Sequence, residues 1–184
     1  MKKINLIMLF IIIVVQVKAQ ENPIEREGFV IGASAGMAFT SILGDTPNIS
    51  DGASISLPNL KIGWMYNQDV ALLITTPGLN YTRGDLDRSI DGIIPSVQYW
   101  VKPNWWVSGG LGLGIDSATI FDSNSSNDDT NIGTACQFSA GYEIYKKGRF
   151  TIDYQGVLFA SNINNDWGDL ESVSFLTGFG FNFY

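Results

Sequence analysis

The chain has 184 residues, 45% of them apolar and 16% charged, with 18 acids against 11 basic residues, one cysteine and no histidine. A net charge of −7 argues against a nucleic-acid partner, which needs clustered Lys and Arg. The missing histidine removes Ser-His and Cys-His nucleophilic sites and the commonest metal ligand, and a lone Cys136 supports no intrachain disulfide.

The first residues, MKKINLIMLFIIIVVQVKAQ, set Lys2 and Lys3 before an apolar run from Leu6 to Val15, and Val17 and Ala19 form a V-x-A pattern. This predicts a signal peptide over 1–19, cleaved after Ala19, because the run is too short for the roughly 20 residues of a spanning helix. Cleavage removes Lys2, Lys3 and Lys18, takes the charge from −7 to −10 and leaves a single domain, 20–184. An exported chain without disulfides needs another source of stability, such as a closed hydrogen-bonded sheet. No later stretch reaches the length of a membrane helix, so any membrane crossing must use strands.

Alternation at period two predicts eight strands. The first, 28–42, sets Phe29, Ile31, Ala33, Ala35, Met37 and Phe39 against Gly32, Ser34, Gly36 and Thr40. The second, 57–67, sets Leu60, Ile62, Trp64 and Tyr66 against Lys61 and Gly63; the third, 70–83, is bent or bulged at Pro77-Gly78. The fourth, 92–102, sets Ile93, Val97, Tyr99 and Val101 against Ser96, Gln98 and Trp100. The fifth, 105–120, sets Val107, Leu111, Leu113 and Ile115 against Ser108, three glycines and Asp116. The sixth, 131–145, opposes Ile132, Cys136, Phe138 and Tyr142 to Gln137, Ser139 and Glu143, and the seventh, 150–160, opposes Phe150, Ile152, Tyr154 and Leu158 to Thr151, Asp153 and Gln155. The last, 173–184, carries Phe175, Phe179, Phe181 and Phe183 on one face, with the final Tyr184 one residue out of phase.

Short connections near Asn67-Gln68-Asp69, Lys102-Pro103-Asn104 and Lys146-Lys147-Gly148-Arg149 alternate with the longer segments GDTPNISDG, GDLDRSID, FDSNSSNDDT and SNINNDWGDLE. That alternation predicts an all-β, antiparallel, up-and-down eight-stranded transmembrane β-barrel rather than a Greek-key sandwich. The long segments carry acids, Asp45, Asp51, Asp85, Asp87, Asp91, Asp122, Asp128, Asp129, Asp166, Asp169 and Glu171, whereas Lys102, Lys146, Lys147 and Arg149 sit at the short turns. An eight-stranded interior would be crowded by the aromatic face, so that face is expected toward lipid and the Gly/Ser face toward a narrow lumen. Trp64, Tyr66, Tyr99, Trp105, Tyr142, Phe150 and Tyr184 lie near strand ends and short turns, where an interfacial girdle is expected. The competing expectation is a soluble barrel with the aromatic face lining an apolar-ligand cavity.

Over nearly the whole mature chain this pattern resembles the small eight-stranded outer-membrane β-barrel proteins of Gram-negative bacteria. The resemblance implies residence in the outer membrane, membrane lipid as surroundings, and a last strand, here FGFNFY, read by the barrel assembly machinery.

On the lumen face Lys61, Gln98, Asp116, Gln137, Glu143, Asp153 and Gln155 form a candidate polar network, a plug or a thin solute pathway. Three carboxylates against one lysine predict incomplete pairing and some internal water. Glu143 and Asp153 as an acid/base pair lack an accompanying nucleophile. The segment DSNSSNDDT begins like an EF-hand loop but has Asn127 at the glycine position and Gly133 at the twelfth, so it reads as a solvated loop, and no metal site is expected. GGLGLG alternates along a strand with no following helix and is no nucleotide fingerprint. No cofactor is implied, the expected role is non-enzymatic, and the sequence names no surface partner.

Overall fold

The computed structural model describes residues 25–43, 52–83, 86–119, 130–165 and 168–184. The expected signal segment, the EF-hand-like run up to Asp129 and Asp45, Asp51, Asp85 and Asp166 lie outside the described residues. Alternating aromatic and β-branched residues fold into β1 (Phe29–Ile42), β2 (Gly52–Asn67), β3 (Val70–Thr76), β4 (Gly78–Arg83), β5 (Leu86–Lys102), β6 (Trp105–Ala118), β7 (Asn131–Lys147), β8 (Phe150–Asn165) and β9 (Gly168–Phe183). Every pairing is antiparallel, and each strand follows its sequence neighbour around the ring. β9 pairs with β1 from Ile31↔Phe183 to Ile42↔Ser172, joining the two ends of the chain and closing the sheet.

Nine strands make eight staves, because β3 and β4 are two parts of one. Pro77 divides them, having no N–H to give a ladder. The stave holds to β5 on both sides of the break, through β3–β5 and β4–β5 pairing and through Gly92 N donating to Pro77 O at 2.7 Å.

Two-residue turns join β2 to β3, β5 to β6 and β7 to β8, the last with Gly148 at a φ of 59° that favours glycine. Both termini of the sheet lie at this end, called inner here. At the other end the sequence reading needs correction. Asp87 and Asp91 belong to β5, and Asp169 and Glu171 to β9. β4–β5 and β8–β9 are continuous hairpins that pair up to Arg83↔Leu86 and Asn165↔Gly168, so two of the four expected long loops are mostly strand. β2 and β5 likewise start five or six residues earlier than alternation of apolar residues suggests.

Along the inner part of the wall the apolar face points outward. Trp64, Tyr66, Tyr99, Trp105, Tyr142, Phe150, Phe179, Phe181 and Phe183 are exposed, with Phe39, Leu111, Phe138, Leu158 and Phe175 continuing the belt. Cys136 stands on this outer wall. A continuous exposed apolar belt is the surface of a membrane-crossing barrel, and it rules out the reversed arrangement in which these rings line a cavity. Tyr184 departs from the girdle: one residue out of phase with Phe183, it turns inward and is fully buried.

Candidate functional site: three carboxylates inside the barrel

The inward positions of eight staves supply the lumen, and each of three buried carboxylates there gathers its own donors. At the inner end, Glu143 projects from β7. Its Oε2 accepts from Arg26 Nη2 at 2.7 Å and lies 2.9 Å from Lys146 Nζ; its Oε1 accepts from Trp100 Nε1 at 2.9 Å and from the Tyr184 hydroxyl at 3.2 Å. Trp100 and Tyr184 meet edge to face at 5.4 Å, and the Arg26 guanidinium stacks 4.5 Å from the Trp100 ring. Arg26 Nη2 also donates to Pro103 O at 2.7 Å, tying the segment before β1 to the β5–β6 turn.

A level farther in, Asp153 of β8 accepts from Asn182 Nδ2 at 2.8 Å and Trp106 Nε1 at 3.1 Å, with Lys61 Nζ 3.9 Å away. Lys61 also reaches Gln98 Oε1 at 3.5 Å and sits 4.9 Å from the Trp106 ring centre. The glycines of this face make the room: a Cβ on Gly141 would strike the Trp106 ring, and one on Gly180 the Asp153 carboxylate. Gln137 closes the layer, its Nε2 donating to Thr75 Oγ1 at 2.7 Å and Ser96 Oγ at 3.2 Å. Gln155 lines the same small central space, about 40 Å³, as Lys61, Gln98 and Asn182.

Above this lies an apolar layer: Ala38, Leu79, Ile90, Ile94, Phe159 and Leu176 are packed together and buried, with Ile163 and Leu170 continuing the cluster. Beyond it, Asp116 of β6 receives Arg88 Nε and Nη2, both at 2.9 Å, in the two-point geometry of a guanidinium on a carboxylate, and the Tyr81 hydroxyl at 2.8 Å.

The seven lumen residues singled out from sequence therefore do not form one network. Lys61, Gln98 and Asp153 meet; Glu143 stands at the inner end with partners of its own; Asp116 is separate at the outer end. The expected shortage of cations is corrected as well, since Arg26, Lys146 and Arg88 join Lys61. Two were assigned elsewhere by the reading of the sequence, Arg88 to a loop and Lys146 to a turn, and Arg26 precedes the first strand. Period two in VLFASNI would have found the buried Phe159 and Ile163, which alternate with Leu158. Glu143 and Asp153 are ladder partners, yet each carboxylate is engaged by indole and cationic donors.

No protein-family model matches the chain, and no curated protein matches it. Solved structures do. Neisserial surface protein A aligns at 17% identity and a TM-score of 0.59, over 85% of this chain and 96% of that one. Ail, the attachment invasion locus protein of Yersinia pestis, crystallised with the heparin analogue sucrose octasulfate, aligns at 17% identity and 0.53, over 85% and 99%. The outer membrane protein AlkL, determined in lipid bilayers, aligns at 12% identity and 0.54, over 86% and 90%. Ring closure, the outward apolar belt and these alignments agree: the chain has the fold of the small eight-stranded outer-membrane β-barrel proteins.

Proposed function

We propose that the protein is an integral outer-membrane barrel that neither catalyses a reaction nor conducts solute, and that it serves the envelope as a sealed wall element presenting its outer rim to surface partners. The observation that carries this reading is the layered lumen. Ile94, Phe159, Leu176 and their neighbours form a dry plate between the Glu143–Asp153 region and the Asp116–Arg88 pair. A hydrated ion crossing the barrel would have to leave its water at that plate, at a cost of many kcal/mol.

The carboxylates are better suited to bracing than to chemistry. Each is buried with a cation and at least one aromatic N–H or O–H donor, which fixes side chains from several staves in one arrangement. No histidine accompanies them to act as a base for a hydroxyl nucleophile. In this reading the partners are membrane lipid along the belt and, during biogenesis, the barrel assembly machinery acting on the FGFNFY strand.

Planar-bilayer recording tests the sealed lumen. The purified protein is expected to add no steady conductance, and the double variant Phe159→Ala, Ile94→Ala to produce one. Steady channels from the unaltered protein would overturn the reading. Recovery in the outer-membrane fraction as a band whose gel mobility changes on boiling tests the location.

A further inference from the structure

Around most of its circumference the wall is a continuous ladder, but between β2 and β4 it is not. β2 has ladder partners in β1 from Gly52 to Trp64, yet it has partners in β3 only from Leu60 onward, and β4 is paired with β5 alone. Side chains hold this seam instead. Ser56 Oγ donates to Gly78 O at 2.6 Å, Gly78 N donates to Asn59 Oδ1 at 2.8 Å, and Asn59 Nδ2 donates to Ser56 Oγ at 2.8 Å. Pro77 ends β3 where that ladder would continue, and β2 at the same level carries Pro58, likewise without an N–H, and a register shift against β1.

Outward of this clasp lies a cavity of about 350 Å³, within the size range of small-ligand sites. Thr40, Ser54 and Tyr81 line it from the lumen side, and Asn80, Thr82 and Asp87 from the outer side, with Ile42 and Thr119 completing it, so side chains of both faces border it. Its lining mixes apolar surface from Ile42, Ala53 and the Tyr81 ring with hydroxyls, an amide and a carboxylate. Ser54 Oγ is shielded from solvent and has no hydrogen-bond partner among the described residues, which a buried hydroxyl seldom tolerates. The Thr82 hydroxyl donates to Asp87 Oδ1 at 3.1 Å, holding the carboxylate at the rim of the slot.

We infer that this slot binds a neutral saccharide. Paired donors and acceptors match the hydroxyls of a sugar, and the Tyr81 ring offers a flat surface to its C–H face. Asp87 in the lining and Asp91 on the same outer face of β5 oppose sulfated or phosphorylated sugars. Because residues of both faces border the slot at the outer end of the wall, the sugar reaches it either free from solution or as the head group of an outer-leaflet glycolipid.

The two sources are separated by observing the amide resonances of Ser54 and Thr82 in nanodiscs, with maltotriose added in one arm and monoglucosyl diacylglycerol built into the lipid in the other. Saturable shifts at these amides in the first arm identify a free sugar; shifts confined to the second identify the leaflet. Sucrose octasulfate is expected to leave both amides unmoved. Ser54→Leu, which fills the slot, is expected to weaken binding about tenfold or more, the size of a buried hydrogen bond left unmade. If that variant loses its boiling-dependent mobility, Thr82→Val on the outer side carries the same comparison. No shift in either arm, equal shifts with sucrose octasulfate, or unchanged binding by a folded slot variant would overturn the proposal.

Discussion

On β8, Tyr154 and Leu158 face outward into the apolar belt while Asp153 and Gln155 face the lumen; farther along the same strand Asn162 and Asn164 face outward and Ile163 inward. β5 changes in the same way, from Tyr99, Val97 and Ile93 outside and Gln98 inside to Asp91 and Asp87 outside and Ile90 inside. On these two strands the inner part is built for lipid and the outer part as a water-soluble barrel would be, with one hydrogen-bonded ladder running through both, whereas Leu43 and Ile132 keep apolar side chains exposed at the outer level of other staves. The backbone is indifferent to this exchange, because each face of a strand answers only to what surrounds it.

The largest expected effect comes from the braced interior of the inner part. Glu143→Leu removes the carboxylate but leaves Arg26 and Lys146 beside it, and is expected to lower the unfolding free energy by about 3–5 kcal/mol in urea titrations of the lipid-reconstituted protein. The comparison itself is tested with one substitution at two positions. Leu158→Arg places a charge in the belt and is expected to cost about 2–4 kcal/mol, less if the site lies near the interface. Asn162→Arg, on the same strand and the same outer side, is expected to stay within about 0.5 kcal/mol. Equal costs at the two positions would mean that the belt extends over the outer part as well. Smaller than the cost of Leu158→Arg is that of Tyr184→Phe, which removes one hydroxyl from Glu143 and is expected to cost about 1 kcal/mol, read from the same titrations.

The sequence reading succeeds where lipid enforces alternation and falters where it does not. Phe175, Phe179, Phe181 and Phe183 reveal their strand, but Asp169 and Glu171 in the same strand look like loop because polar residues face water there. Apolar alternation therefore marks the belt rather than the strand, and β2, β5, β8 and β9 each extend five or six residues beyond it. The carboxylates are visible as polar residues in the Gly/Ser register of their strands. Their partners are not, since Arg88 meets Asp116 and Arg26 meets Glu143 only through pairing between segments distant in sequence. The turned Tyr184 is legible as a break in phase, although its partners in β5 and β7 are not.

That last residue also carries a consequence for the order of assembly. Tyr184 needs Trp100 from β5, Glu143 from β7 and the Arg149 carbonyl, to which its own N–H donates at 3.0 Å, and it lies beside an Arg26 that enters from ahead of β1. These groups converge only once the sheet has curled round and β9 has met β1. Tyr184 is thus among the last residues to find its place, and the Trp100–Tyr184 contact serves as an optical clock for the moment at which the barrel shuts.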